Sequence, residues 1–116
     1  MKTLRLPNDC GVVTIQKLLD ISYQEARQLC FLQGFSSTSG IPTGAVEMIL
    51  EQKGFQLKHL STSKTTLEHV SKMLDPEKDY VIEVQRHIMA QIKGVLHNVA
   101  GTEKRIVKCV YEVYRK

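Results

Sequence analysis

Apolar residues in the first part of the chain recur at intervals of three and four positions, the spacing of one face of an α-helix. The first such series follows Asn8 and Asp9, either of which is a good N-cap, and it predicts a helix that starts near Cys10. Its apolar positions are Val12, Ile15, Leu18 and Leu19. Ser22, followed three positions later by Glu25, forms a capping box. The chain is therefore predicted to open with two successive helices.

Two further helices are predicted before the pattern changes. Pro42 and Thr43 are typical of a helix start, and Gly54 is a suitable stop for the helix that follows them. The segment from Thr66 to Leu74 predicts a shorter helix. Asp75-Pro76 ends it, because a proline disfavours helical backbone at the residue before it.

In the second half of the chain the period shortens to two, and β-branched and aromatic residues become frequent. These features predict strands at 55–59, 80–84, 87–92, 95–99 and 106–114. A helical half of about 8–75 and a sheet half of about 79–115, in one domain spanning 1–116, define the α+β class. We expect a mostly antiparallel sheet with the helices packed on one of its faces.

The composition agrees with one compact domain. The chain has 116 residues, of which 42% are hydrophobic and 24% are charged, close to the average of globular domains. This length leaves no room for a separate cofactor-binding domain. No apolar run approaches the roughly 20 residues of a membrane helix, and the chain start lacks the apolar stretch of a signal peptide. We therefore expect a cytoplasmic protein with no membrane partner.

Charge and cysteine content narrow the possible partners and cofactors. The formal net charge is +4, but lysines and arginines are interspersed with acidic residues, so nucleic-acid binding is unsupported. Cys10, Cys30 and Cys109 lack the close spacing of zinc or redox sites. The glycines match no phosphate-binding motif. The sequence therefore predicts no cofactor and no metal, and it leaves the oligomeric state open.

Cys10 is the first candidate for chemistry because it stands where a helix is predicted to begin. The unpaired N–H groups and the positive dipole end of a helix start favour the thiolate, which is the form that attacks a carbonyl carbon. Gly11 leaves room for a substrate backbone, and the amide of Cys10 is a natural oxyanion donor. The alternative is that Cys10 is only a small buried apolar residue.

A nucleophilic thiol needs an imidazole base and a third residue that orients the base. If Lys93-Gly94 forms a two-residue hairpin turn, Met89 lies opposite Asn98. His87 and Asn98 are then diagonal neighbours on one face, within reach of a side-chain hydrogen bond. His97 points to the other face. The alternatives are an edge-strand histidine and a turn-preferring asparagine, and a register slip of one residue would reverse every side chain.

Several segments of the chain resemble the papain-like cysteine peptidases, most closely the small bacteriocin-processing peptidase domains of ABC exporters and their stand-alone relatives. Residues 8–13, Asn-Asp-Cys-Gly-Val-Val, are similar to the nucleophile segment of that family. Residues 86–98 are similar to its histidine strand, tight turn and following strand. Residues 40–43, leading to Lys53-Gly54-Phe55, are similar to its helix and Gly-Phe turn. The resemblance spans nearly the whole chain and implies a papain-like fold.

The resemblance also implies a role for each candidate residue. Cys10 corresponds to the nucleophile, His87 to the general base and acid, and Asn98 to the residue that orients the imidazole. Relatives often have an aspartate at this third position. An amide there holds the imidazole without adding charge, which gives a Cys-His-Asn arrangement.

One departure from the family concerns the oxyanion hole. The family usually carries a glutamine shortly before the cysteine that completes this hole, and Leu4 and Arg5 occupy that region here. Asn8 is the candidate replacement. We expect a hydrolase that cleaves a peptide or isopeptide bond of a peptide or protein substrate through an acyl-thioester on Cys10. The alternatives are a catalytically silent papain-like domain that binds a protein or nucleotide partner, and an acyltransferase.

Overall fold

The described part of the chain contains four helices and five strands. The computed structural model describes residues 10–33, 43–60, 65–84, 87–97 and 105–115. The helices are α1 (Cys10–Leu19), α2 (Tyr23–Leu32), α3 (Thr43–Gln52) and α4 (Leu67–Met73). The strands are β1 (Phe55–Leu60), β2 (Asp79–Val84), β3 (His87–Ile92), β4 (Val95–His97) and β5 (Val107–Arg115). The predicted α+β class is confirmed.

Two helices begin at caps that the sequence predicted or contains. The Ser22 hydroxyl accepts a hydrogen bond from the Glu25 amide at 3.1 Å, and this bond starts α2. The Thr66 hydroxyl accepts from the His69 amide at 3.3 Å and starts α4. Gly54 follows α3 with a φ of 91°, a left-handed conformation that suits glycine at a helix end. Asn8 and Asp9, the predicted caps of the first helix, lie outside the described residues.

The five strands form one sheet with the order β1-β5-β2-β3-β4. Every pairing between these strands is antiparallel. β5, the last strand in the chain, lies between β1 and β2 and pairs with both. Toward the other edge of the sheet, β2, β3 and β4 are neighbours in the same order as in the chain, so each successive pair forms a hairpin. None of the described helices is long and apolar enough to cross a membrane.

Helices cover both faces of the sheet, so the prediction that all helices pack on one face is wrong for α4. The first core lies between the sheet and helices α1 to α3, and its buried residues are Val12, Ile15, Tyr23, Ala26, Cys30, Val46, Ile49, Leu50, Val81, Ile88 and Val113. The second lies between the sheet and α4, with Leu67, Val70, Tyr80, Ile82, Val84, Met89, Val107 and Val110 buried. In β2, Tyr80, Val81 and Ile82 are consecutive and all buried. Since consecutive strand residues face opposite ways, both faces of β2 need an apolar cover.

Candidate active site

Cys10, the candidate nucleophile, is the first residue of α1, as predicted. Gly11, which follows it, is buried. Val12 and Ile15 are fully buried and hold this helix on the sheet. α1 packs mainly on β3, and it also contacts α2 and α3. The side chain of Cys10 lies outside the described part of the structure, so the backbone alone defines its position.

His87, the candidate base, is the first residue of β3. Its backbone pairs with Val84, the last residue of β2. Ile88, the next residue of β3, belongs to the same hydrophobic cluster as Val12 and Ile15 of α1. β3 packs on α1 through the row that contains Ile88, whereas the backbone register puts His87 in the alternate row with Met89, on the α4 side of the sheet. The side chain of His87 lies outside the described part, as do residues Asn8 and Asn98.

The hairpin that fixes the register of β3 and β4 has the predicted two-residue turn. Lys93 and Gly94 both have positive φ, 50° and 82°, which is the backbone of a tight hairpin turn. Ala90 pairs with His97, as the predicted turn requires. A Cβ atom added at Gly94 would lie 3.3 Å from the Cβ of Pro76, so glycine also fits the limited space there. The predicted pairing of residue 98 falls outside the described residues.

His97 lies on the face of the sheet that α1 covers. It pairs with Ala90, which in turn pairs with Val81, so these three residues share the face that α1 covers. Burial lowers the pKa of His97, and the positive charge of Lys17 lowers it further. Lys17 lies seven residues after Cys10, about 10 Å along the helix axis. His97 therefore shares a face of the sheet with α1, near enough to Lys17 for that charge to affect its pKa.

The two remaining histidines occupy the positions that the sequence predicts. His59 is an exposed residue of β1, and its ring centroid lies 5.3 Å from that of Tyr111. His69 is exposed on α4, on the opposite side of the sheet from α1. The sheet therefore lies between His69 and α1.

The other two cysteines differ from each other in accessibility, and neither forms a disulfide. Cys30 is fully buried in α2, and this burial raises the pKa of its thiol to about 12. It is therefore held as a neutral thiol near neutral pH. Cys109 is half-buried in β5. Among the described residues, no group of three or more His, Cys, Asp or Glu is arranged to hold a metal ion.

The sequence did not predict a polar group on the sheet face that α1 to α3 cover. This group, here called the Tyr111 cluster, consists of Glu47, Glu83, Cys109 and Tyr111. Glu83 pairs with Cys109, and His59 pairs with Tyr111. Burial raises the pKa of Tyr111 to about 12, with further contributions from a hydrogen bond with Cys109 and the charges of Glu83 and Glu47. The one sequence signal is a glutamate within the apolar strand Val-Ile-Glu-Val. The partners of that glutamate come from other strands, which the sequence pattern does not pair.

The Tyr111 cluster extends from the middle of the sheet, where Tyr111 pairs with Val81, toward the strand end at which β3 begins. Glu83 pairs across the sheet with Ile88, the residue after His87. Glu83, Cys109 and Tyr111 stand in the strand rows that α1 to α3 cover, whereas His87 pairs with Val84 in the alternate row.

No family model, curated protein or solved structure matches this chain. The resemblance to papain-like peptidases therefore rests on the residues of the chain itself.

Proposed function

We propose that the chain is a small papain-like thiol hydrolase that cleaves a peptide or isopeptide bond. In this proposal the Cys10 thiolate attacks the carbonyl carbon, and the carbonyl oxygen becomes the anion of a tetrahedral intermediate. The amide of Cys10, with Asn8, stabilises this anion. Protonated His87 gives its proton to the leaving amine, and an acyl-thioester on Cys10 remains.

The second half of the reaction uses the same imidazole as a base. Neutral His87 removes a proton from water, and the resulting hydroxide attacks the thioester carbonyl. The carboxylic acid leaves, and the proton on His87 restores the thiolate–imidazolium pair. Asn98 orients the ring of His87 throughout.

The packing of α1 on β3 is the observation that carries this proposal. A Cys-His pair requires that two residues 77 positions apart in sequence approach each other, because 87 minus 10 is 77. α1 begins at Cys10 and β3 begins at His87, and Val12 and Ile88 belong to one hydrophobic cluster. The backbone register of His87 belongs to the α4 side of the sheet, so the proposed pair requires its imidazole to reach Cys10 around the end of β3. Of the other histidines, His69 lies on α4, across the sheet from α1, and His97 shares the face of the sheet that α1 covers.

Alkylation by iodoacetamide tests the proposed pair, with each cysteine followed separately by peptide mass spectrometry. We expect Cys10 to react faster than Cys109 at pH 7, and Cys30 to stay unmodified in the folded protein because it is buried. His87→Ala should slow the modification of Cys10 by about tenfold, because an unpaired thiol is only a few per cent thiolate at this pH.

The pH dependence of the alkylation rate distinguishes a Cys10 thiol that is paired with His87 from one that is merely exposed to the reagent. The wild-type rate at Cys10 should persist below pH 7, whereas the His87→Ala rate should fall about tenfold per pH unit below its thiol pKa of about 8.5. His97→Ala is the matched control, since it removes the other histidine of the same hairpin, which stands in the opposite strand row from His87. An equal rate at Cys10 in the wild type and His87→Ala would contradict the proposal and leave the silent binding domain as the reading of this fold.

A further inference from the structure

A pocket of about 460 Å³ opens at the end of α1 opposite Cys10. It includes Leu19, the last residue of α1, whereas Cys10 is the first. A helix of ten residues is about 15 Å long, so the pocket is separate from the candidate active site. Its walls come from α2, the turn before β1 and the end of β5. The volume lies within the range of small-molecule sites.

Five of the nine residues that line the pocket are apolar. The apolar residues that line it are Leu19, Ile21, Leu29, Leu32 and Phe55. Leu32 is 77% exposed, although most large apolar side chains of the described residues are covered. Binding of a ligand with an aliphatic body is favourable here, because it removes exposed aliphatic surface of the pocket from water.

The polar residues of the pocket carry an excess of positive charge. Lys53 and Arg115 line it together with a single acidic residue, Glu25. The guanidinium carbon of Arg115 lies 5.1 Å from the centroid of the Phe55 ring, so the cation is held against the apolar wall. Within the described ranges neither Lys53 nor Arg115 has an ion-pair partner. Both cations are available to a ligand.

We propose that this pocket binds a small aliphatic carboxylate. The aliphatic body would lie on Leu29 and Ile21, and the carboxylate would meet the guanidinium of Arg115 and the ammonium of Lys53. An arginine side chain offers paired N–H donors that match the two oxygens of a carboxylate. This inference concerns a second site and does not depend on the chemistry proposed for Cys10.

Titration of the full chain with octanoate tests the proposal, with binding followed by calorimetry and by methyl NMR shifts. We expect a dissociation constant of about 1 mM or tighter and shifts at the methyl groups of Leu19, Ile21 and Leu29. Octanol should bind more weakly because it lacks the charge, and octylammonium should not bind because its charge repels the cations.

Three variants test the charged contact and the apolar contact of the proposed site separately. Arg115→Gln should weaken octanoate binding about tenfold, while Lys58→Gln removes the same charge from an exposed position of β1 outside the pocket and should change it little. Leu32→Glu adds a negative charge at an exposed position of the wall and should abolish binding without loss of folding.

The opposite results would overturn the proposal. These are the absence of saturable octanoate binding, methyl shifts that lie outside the pocket, or an equal loss of affinity in Lys58→Gln and Arg115→Gln. The last result would mean that octanoate responds only to the overall positive charge of the chain. The iodoacetamide rate at Cys10 is measured independently, so failure here and failure of the proposed hydrolase are distinguishable.

Discussion

The two faces of the sheet are covered in different ways. On one face, three helices of ten residues each bury an extensive apolar cluster. On the other face, α4 is the one helix among the described residues; it has seven residues and contributes Leu67 and Val70 to the buried cluster. An isolated helix of seven residues is unstable in water, because its few hydrogen bonds do not offset the free-energy cost of forming the first turn. α4 therefore depends on contacts with the sheet.

Hydrogen bonds supply part of that attachment. The Ser71 hydroxyl donates to the side-chain oxygen of Gln91, and the Gln91 amide nitrogen donates to the Ser71 carbonyl at 3.1 Å. Gln91 is 1% exposed and lies in β3. At the other end of α4, the Leu67 amide donates to the Arg105 carbonyl at 2.8 Å. Apolar burial holds the layer of α1 to α3 on the sheet, whereas the shorter α4 is held by hydrogen bonds as well.

The largest effect is expected from removing one buried leucine on each face. Leu50→Ala and Leu67→Ala should each lower the free energy of unfolding by about 2–5 kcal/mol, because both side chains are fully buried and leave a cavity. Urea unfolding measures the loss. Leu32→Ala, at a largely exposed position, is the control and should change stability by less than about 0.5 kcal/mol.

Hydrogen exchange sharpens this comparison. In Leu67→Ala the amides of α4 should lose protection before those of α1 to α3, because α4 can open while the opposite face stays packed. In Leu50→Ala the loss should spread across α1, α2 and α3 together. If both variants lose protection in the same segments, the two faces do not behave as separate units.

A smaller effect is expected from breaking the Gln91–Ser71 contact. Gln91→Ala should lower stability by about 1–3 kcal/mol, because it leaves the polar groups of Ser71 without their buried partner. A double-mutant cycle with Ser71→Ala should give a coupling free energy of at least about 0.5 kcal/mol. Lys72→Ala, which breaks the exposed Lys72–Glu68 pair on the same helix, is the matched control. A coupling near zero would mean that apolar burial alone holds α4.

The helix caps on the two faces offer a finer comparison. Ser22→Ala removes the cap of α2, and Thr66→Ala removes the cap of α4, each at a cost of about 1 kcal/mol. We expect Ser22→Ala to be the larger of the two, since the start of α4 keeps its backbone bond between Leu67 and Arg105. Chemical unfolding of both variants measures the difference, and a larger loss in Thr66→Ala would contradict the expectation.

The smallest effect concerns the pH dependence of stability at His97. Its pKa in the folded protein is lowered from 6.5 by burial and by Lys17, so between the folded and unfolded pKa values the unfolded chain binds more protons. This contribution to stability is complete above pH about 6.5 and is lost as the pH falls toward the folded pKa. His97→Gln should reduce the loss of stability below pH 6.5 in thermal unfolding.

A second variant checks the physical cause of that shift. Lys17→Gln removes one of the two causes and should raise the pKa of His97 partway toward its ordinary value, measured by NMR titration of the imidazole. An unchanged pKa in Lys17→Gln would mean that burial acts alone.

The sequence predicted those parts of the fold that depend on residues close together in the chain. The Ser22 cap depends on a hydroxyl and an amide three residues apart, and Lys93-Gly94 determines the turn of its own hairpin. The start of α1 at Cys10 and of β3 at His87 follow from local periodicity in the same way. These interactions need no information from the rest of the molecule.

Tertiary structure decided which of these local elements meet. The position of β5 between β1 and β2, the attachment of α4 to the opposite face, and the pairing of Glu83 with Cys109 all join distant residues. The packing of α1 on β3, on which the proposed active site depends, belongs to the same group. Periodicity gives each element one or two apolar faces, but many pairings of those faces bury similar area. The arrangement that satisfies all faces and hydrogen bonds together emerges only when the whole chain is packed.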